Sequence, residues 1–516
     1  MTSADYVIVG AGSAGCVLAE RLSADEHTHV VLLEAGSQDP NSIAELRVPG
    51  LFPRTFGSEV DWGFQTVPQG GLNGRTIPYP RGKALGGSSS INGQLWTLGH
   101  RADYDAWATA GCVGWGYADV LPYFEKAESE RIRLAGIRYP NPVTPDFITA
   151  CARVGHVPAG PQEDGYTLAR ATHRDGLRWS SADSYLGPAG DRPNFEVITG
   201  GLVRRVLFED THAVGVELET DGGVAQIRAD REVILAAGAV GSPHLLMLSG
   251  IGPSGHLAEH GIQVLVDAPG VGQNLFDHLL VPLAFAGRGF ESPGVDAGLE
   301  EIQRYLDDRI GPLDSILSEA LVFLRTREEL DGPDIEVVLM LVPFGEHETS
   351  VQHGLALGVI LLRPESRGSV TLRTANPHDA PLIDPGFLSD THGADLATTV
   401  AGVRKAQDIV DQPVLSKWLG EPLTPGAMSA ETPDIVEYIR RTGLSIFHPV
   451  STCRMGPDPQ SVVDLEFQVR GTSGLRVVDA AAMPSQVRGH THAPVTMLAE
   501  RASELILKQG STISMV

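Results

Sequence analysis

The feature that most constrains this chain lies at its start. The β-branched run Val7-Ile8-Val9 leads into Gly10-Ala11-Gly12-Ser13-Ala14-Gly15, then a helical stretch over Ala14–Leu22 and a second buried-strand run, Val30–Leu33, that ends in Glu34. Strand, glycines, helix, strand and acid in that order form a βαβ unit of the kind that holds a dinucleotide. Gly10 permits the tight turn, Gly12 lets backbone approach a pyrophosphate, and Gly15 lets helix and strand pack closely, while the helix N-terminus turns unpaired N–H groups towards the phosphates. Glu34, 19 residues beyond Gly15, stands where a carboxylate accepts hydrogen bonds from ribose hydroxyls. Glycines alone can be merely a turn. The ordered set favours dinucleotide binding without separating FAD from NAD.

A chain of 516 residues is too long for one hydrophobic core, so a cofactor domain and a substrate domain are expected. With 42% apolar and 20% charged residues it reads as globular. A net charge of -25 repels phosphate backbones and anionic lipid, which argues against nucleic-acid and membrane partners. Cys16, Cys112, Cys151 and Cys453 form no C-x-x-C pair, so neither a zinc site nor a disulfide framework is suggested, and reduced thiols in a cytoplasmic protein are the expectation. The first strand begins too early for a secretory signal to precede it, and apolar runs such as Val337–Val342 and Leu357–Leu362 are too short to span a bilayer. Strand alternation recurs at Val203–Phe208, Ala213–Leu218 and Glu232–Ala236. Helical patterns are clearest at Leu396–Ile409 and Ala493–Ile506.

Two further glycine clusters carry chemistry or structure. Gly82-Lys83-Ala84-Leu85-Gly86-Gly87-Ser88-Ser89-Ser90-Ile91-Asn92-Gly93 combines bare backbone with hydroxyls and an amide, suited to close contact with a phosphate or a flavin ring, or simply to a loop. Gly238 to Gly252 reads as a strand end, a tight turn, a short buried helix and a glycine stop. Near the C-terminus, His448 stands in Phe447-His448-Pro449-Val450-Ser451-Thr452 and His490 in Gly489-His490-Thr491-His492. Taken singly, each histidine is more often a satisfied structural residue than a catalyst.

Gly82 to Asp105 resembles the first signature of the glucose–methanol–choline (GMC) oxidoreductase family and Gly238 to Gly252 its second. The similarity runs on through Asp61-Trp62, Gly111–Glu128, Gly270–Leu275 and Arg363–Leu372, essentially the whole chain. The resemblance implies an α/β fold with a Rossmann-like FAD-binding domain (residues 1–45, 80–130, 190–285 and 465–516). The second domain, α+β and built on an antiparallel sheet, would bind substrate (46–79, 131–189 and 286–464). It also implies oxidation of a primary alcohol to an aldehyde by hydride transfer to flavin N5, with oxygen or another redox acceptor closing the cycle. In similar proteins a histidine at the His448 position faces the flavin and a histidine or asparagine at the His490 position sits beside it. His448 is therefore assigned as general base and His490 as the partner that orients the alcohol, although either fits the other's role. An alcohol hydroxyl is too weak an acid to ionise unaided, and imidazole titrates near neutrality.

Cofactor contacts carried over by position are Gly10, Gly12, Ser13, Ala14, Gly15, Glu34, Ala35, Trp62, Gly87, Ser88, Asn92, Gly93, Leu95, Val203, Gly238, Asp479, Ala480 and His492. Relatives that bind FAD covalently through histidine do so where this chain has Ile91, so a dissociable flavin is expected. No carboxylate or cysteine accompanies His448, His490 and His492 at ligand spacing, and a metal is not expected. Phe447 is a candidate contact for an aromatic or allylic alcohol, with a packed core aromatic as an equally good reading. Glu319 is one for a cationic substrate, with a solvated surface position as its plainer reading. The segment Arg131 to Gly165 is shorter than its counterparts, which suggests a more open entrance. A hydroxynitrile-lyase-like enzyme that keeps FAD structurally is the alternative, and an NAD-dependent dehydrogenase a remoter one.

Overall fold

In the computed structural model, residues 2–37, 42–160, 163–343 and 353–513 are described. From the N-terminus, β1 (Thr2–Val9), α1 (Ser13–Leu22) and β2 (Val30–Leu33) form the expected βαβ unit. Then come α2 (Val143–Arg153), β3 (Gly165–Leu168), β4 (Phe195–Ile198), β5 (Leu202–Glu209), β6 (His212–Thr220), β7 (Gly223–Leu235) and α3 (Gly238–Leu248). The second half supplies β8 (Leu279–Gly287), β9 (Ser318–Leu324), β10 (Ile335–Met340), β11 (Gly354–Leu361), α4 (Ala394–Val410), β12 (Leu419–Pro422), β13 (Leu444–Ser445), β14 (Leu475–Val477) and α5 (His492–Ile513).

Two seven-stranded sheets organise these elements. In the first, β14, β7, β1, β2 and β4 run parallel side by side, and the hairpin β5–β6 adds antiparallel strands along the early part of β7. Val30–Leu33 is buried at every position, as expected of a strand covered on both faces. The helix α5 closes one face: Arg21 of α1 donates through Nε and Nη2 to both oxygens of the fully buried Glu500, at 2.8 and 2.7 Å. That bidentate pair joins the first helix of the chain to the last.

The second sheet is antiparallel, ordered β12-β8-β11-β10-β9-β3, with β13 also pairing with β8. Its side chains alternate between two apolar layers. Val281, Leu283, Val337, Leu339, Leu357 and Val359 pack with Val403, Ala406 and Ile409 of α4. Leu280, Ala284, Val338, Met340, Ala356 and Ile360 face the other way, into a layer with Leu95. The apolar runs at Val337–Val342 and Leu357–Leu362 are thus central strands buried on both faces. Among the described residues no helix is long and apolar enough to cross a membrane.

Two expectations are corrected. Leu279–Gly287 lies inside the second sheet, so the chain leaves the first before residue 285, where the sequence reading set the limit. Glu319 is neither at the surface nor in a substrate cavity. It is fully buried, its Oε2 accepting from Asn141 N–H (2.9 Å) and Thr144 Oγ1–H (2.6 Å) and its Oε1 from Ser315 Oγ–H (2.8 Å). It ties β9 to the first turn of α2, and burial raises its pKa. Replacing Glu319 by alanine would strand buried donors and is expected to lower stability by about 1–3 kcal/mol. Thermal unfolding should show that loss while relative kcat/KM for cationic and neutral alcohols stays put; a selective loss with cationic alcohols would return Glu319 to the substrate site.

Candidate active site

The first glycine turn and the second are interlocked. A Cβ on Gly15 would lie 1.9 Å from the Gly10 carbonyl oxygen, so only glycine lets α1 start this close to β1. A Cβ on Gly87 would sit 2.7 Å from Gly12 Cα, and Gly86 N–H donates to Ala11 O at 2.8 Å. These turns wall one end of a cavity of about 1190 Å³. That exceeds the range of about 300–1,000 Å³ usual for one small ligand. Of the expected cofactor residues, Gly10, Gly12, Ser13, Ala14, Glu34, Ala35, Trp62, Gly87, Ser88, Asn92, Gly93, Leu95, Val203, Gly238, Asp479, Ala480 and His492 line it. Gly15 does not line the cavity and packs behind it.

Glu34 accepts from Ala11 N–H (3.0 Å) and Gly36 N–H (2.9 Å), one bond to each oxygen, leaving lone pairs for a ribose; burial pushes its pKa up to about 7. Asn92 Oδ1 accepts from Arg178 Nη1–H (2.7 Å) and Gln94 N–H (3.0 Å), which leaves its amino group as the free end of the amide. Asp479 receives N–H groups of Gly238 (2.8 Å) and Ala481 (2.7 Å) and the Ser242 hydroxyl (2.6 Å), so its carboxylate fastens the end of β14 to the start of α3. His492 faces Ser181 Oγ at 3.0 Å through Nε2, and burial lowers its pKa to about 4.

The same cavity reaches His448 and His490, which the fold brings together with perpendicular rings 4.9 Å apart. His448 follows β13 on a loop held by Asp277. One Asp277 oxygen accepts the N–H groups of His448 (2.9 Å) and His278 (2.8 Å). The other accepts the hydroxyls of Tyr79 (2.6 Å) and Ser445 (2.5 Å). Gln486 Nε2–H donates to the His448 carbonyl at 2.9 Å. Behind the ring, His448 Nδ1 lies 3.0 Å from His278 Nδ1. His490 is placed by its N–H to Thr97 Oγ1 (2.8 Å), and its Nε2 lies 3.1 Å from Glu336 Oε1. Burial, followed by the neighbouring His490 and His278 rings and Arg81, takes the His448 pKa well below its usual value.

Glu336, Asp277 and His278 escape the sequence reading. Glu336 had a signal, a lone acid in the apolar strand Ile335–Met340, on the same face as Val338 and Met340. Asp277-His278 come just after the family-like run ending at Leu275, beyond Phe276, without a pattern of their own. Phe447 lines the cavity beside His448, with φ of 67° and its ring edge-on to Phe56 at 5.5 Å. No described residue of 131–165 lines the cavity. Among the described residues no three His, Cys, Asp or Glu side chains are grouped to hold a metal ion.

The polar lining fits a large dinucleotide. Gln94 Oε1 and Nε2, His244 Nε2 and His492 Nδ1 are buried on lining residues without a hydrogen-bond partner, and such atoms call for a polar ligand. The start of α1 adds backbone N–H groups suited to a pyrophosphate.

Comparison with known proteins agrees with this architecture. Family models described as GMC oxidoreductase match residues 4–280 and 364–499. An alcohol dehydrogenase [acceptor] of Pseudomonas putida is 40% identical, covering 99% of this chain and 97% of its own length. An oxygen-dependent choline dehydrogenase of Brucella anthropi is 38% identical over 98% of this chain and 95% of its own. Among solved structures, pyridoxine 4-oxidase from Mesorbium loti superposes with a TM-score of 0.87 at 31% identity, covering 97% of this chain and 98% of its own. A formate oxidase structure gives 0.90 at 28%, covering 99% of each chain. The chain belongs to the GMC oxidoreductase family and is an FAD-dependent oxidoreductase acting on CH–OH donors.

Proposed function

We propose that this enzyme oxidises neutral, apolar primary alcohols to aldehydes, with His448 as general base and His490 as the group that orients the alcohol oxygen. One observation carries the reading. Once His448 Nδ1 is paired with His278 and His490 Nε2 with Glu336, each ring has one nitrogen left, and both rings line the same cavity. Bound FAD supplies the two-electron acceptor for the hydride that leaves the carbinol carbon. Gly10, Gly12, Ser13, Glu34, Ser88, Asn92 and Asp479 are the residues proposed to hold it.

The two histidines divide the work through their partners. The lone pair on His448 Nε2 takes the hydroxyl proton as the C–H bond breaks. Glu336 gives His490 a carboxylate to balance positive charge, so its Nδ1 can hold the substrate oxygen by a hydrogen bond. Substrate class follows from the wall near these rings. Phe56, Leu95, Leu280, Met340, Ile446 and Phe447 are all apolar. The lining carboxylates lie elsewhere: Glu34 and Asp479 stand at the glycine turns. Asp379 accepts from Thr374 Oγ1–H in a turn whose His378 reaches Glu219 of β6. Glu336 is paired with His490 and does not line the cavity, so among the described residues no lining carboxylate offers a cationic alcohol a counter-charge beside the histidines.

Three outcomes test this reading. Replacing His448 by alanine should slow anaerobic flavin reduction by about 10²–10⁴ while FAD stays bound; undiminished reduction would remove His448 from the mechanism. Because its pKa lies below the usual value of 6.5, His448 is already neutral at higher pH, and protonation disables it only on acidification past that lowered value. The reduction rate should accordingly stay flat from about pH 8 down to about pH 6. Second, benzylic and medium-chain aliphatic alcohols should bleach the flavin faster than choline. The reverse order would refute the neutral-alcohol assignment, and an unbleached flavin with every alcohol would point to the lyase-like alternative. Peroxide formation in air against reduction of a dye assigns the acceptor.

The third concerns attachment. Ile91 packs with Leu46, Val60 and Ala84 and offers no nucleophile. Acid precipitation should then release free FAD into the supernatant, and a yellow pellet would contradict a dissociable flavin.

A further inference from the structure

His278 is fully buried and does not line the cavity, yet it touches the proposed base through one nitrogen and a main-chain carbonyl through the other. We propose that His278 is a positioning residue that locks His448 in the tautomer with the proton on Nδ1 and the lone pair on Nε2, a role that rests on His448 being the base.

The tautomer is set from the carbonyl inwards. Leu362 O, 3.2 Å from His278 Nε2, is an acceptor only, so His278 carries its proton on Nε2 and keeps a lone pair on Nδ1. Across 3.0 Å that lone pair faces His448 Nδ1, and two ring nitrogens at this distance need one proton between them. With His278 Nδ1 bare, the proton belongs to His448 Nδ1, and His448 Nε2 is left bare towards the cavity. The opposite arrangement would set a lone pair against the Leu362 carbonyl in a site without water access. Burial also keeps the second ring neutral, taking the His278 pKa to about 3. The rings cross at 82° with their Nδ1 atoms 3.0 Å apart. The backbone cannot drift, since one Asp277 oxygen holds the N–H of both histidines.

The relay has a dead end. When the alcohol O–H bond breaks and an N–H bond forms at His448 Nε2, the new positive charge is shared with His278 through the Nδ1–H hydrogen bond. Leu362 O cannot take a proton onward, so the proton stays on the imidazole pair until it leaves by the way it came, from His448 Nε2 to water entering the cavity after the aldehyde departs.

The test uses FAD-loaded enzyme with nitrogen-15 in its histidine rings. The His448 signals, identified by their loss in His448→Ala, should show a protonated Nδ1 and an unprotonated Nε2; protonation on Nε2 overturns the proposal. In His278→Phe, which removes the acceptor, the limiting rate of flavin reduction should fall by about tenfold or more, since a mis-set histidine tautomer costs a serine-protease triad about 10⁴ in kcat. Substrate affinity and FAD content should hold. His278→Gln, whose carbonyl can accept the His448 proton, should recover most of the rate; equal rates for the two variants, or no loss in either, would also overturn it. If His278→Phe does not load FAD, the nitrogen-15 spectrum of the unmodified enzyme decides. Should His448→Ala itself reduce flavin normally, the assignment of the base fails, which is a different result from a wild-type-like His278→Phe beside an inactive His448→Ala.

Discussion

The active site depends on one buried carboxylate that is never expected to meet substrate. Asp277 is 3% exposed and accepts four hydrogen bonds, from Tyr79, Ser445 and the main-chain N–H groups of His278 and His448. Burial raises its pKa, and the Ser445 and Tyr79 hydroxyls, the His448 N–H and the Arg81 charge oppose that rise. A carboxylate has about four acceptor positions, and here all are used, so any shift of the loop after β13 breaks several charge-assisted bonds together. Three segments distant in the chain, around residues 79, 277 and 446, are thereby fixed at one point. The His448 ring inherits its position from that point, and His278 is fixed by the same oxygen.

Around this anchor the two sheets contribute different things. The parallel sheet supplies main-chain N–H groups at the ends of strands and at the start of α1, which can bind phosphate without lysine or arginine. This matters in a chain with a net charge of -25, because directed dipoles at close range act where the overall field would repel an anion. The antiparallel sheet supplies a wall. Its period of two puts Leu280 and Met340 on the cavity, and the same parity puts Glu336 behind His490.

These two contributions were not equally legible in the sequence. The βαβ unit, the hairpin β5–β6 and helices α3, α4 and α5 all follow from local periodicity and glycine placement, because the forces that form them act within a few turns of chain. Many of the cavity-lining residues, such as Gly10, Gly12, Ser88 and Asn92, stand in family-like motifs, whereas Gln94, His244, Leu280 and Met340 were not named. Glu319 was misplaced because its partners, Asn141, Thr144 and Ser315, include two more than 170 positions away, and nothing local to Glu319 announces a neutralised interior site. His278 and Glu336 were missed on the same ground. Each acts through a contact spanning more than 150 residues, and such pairings belong to the tertiary fold.

Those two missed partners are what distinguish two otherwise similar imidazoles. His448 and His490 are both about nine-tenths buried and share one cavity, so burial alone would give them one behaviour. The difference lies one residue further out. A second imidazole capped by a carbonyl can accept a hydrogen bond but adds no negative charge, so it favours a neutral His448 with a directed lone pair. A carboxylate can balance positive charge, so it suits a ring that donates to an alcohol oxygen becoming anionic. The neighbouring His490 ring in turn opposes protonation of His448, 4.9 Å away between ring centres. The proposed roles of base and orienting group are therefore coupled through the distance between the rings.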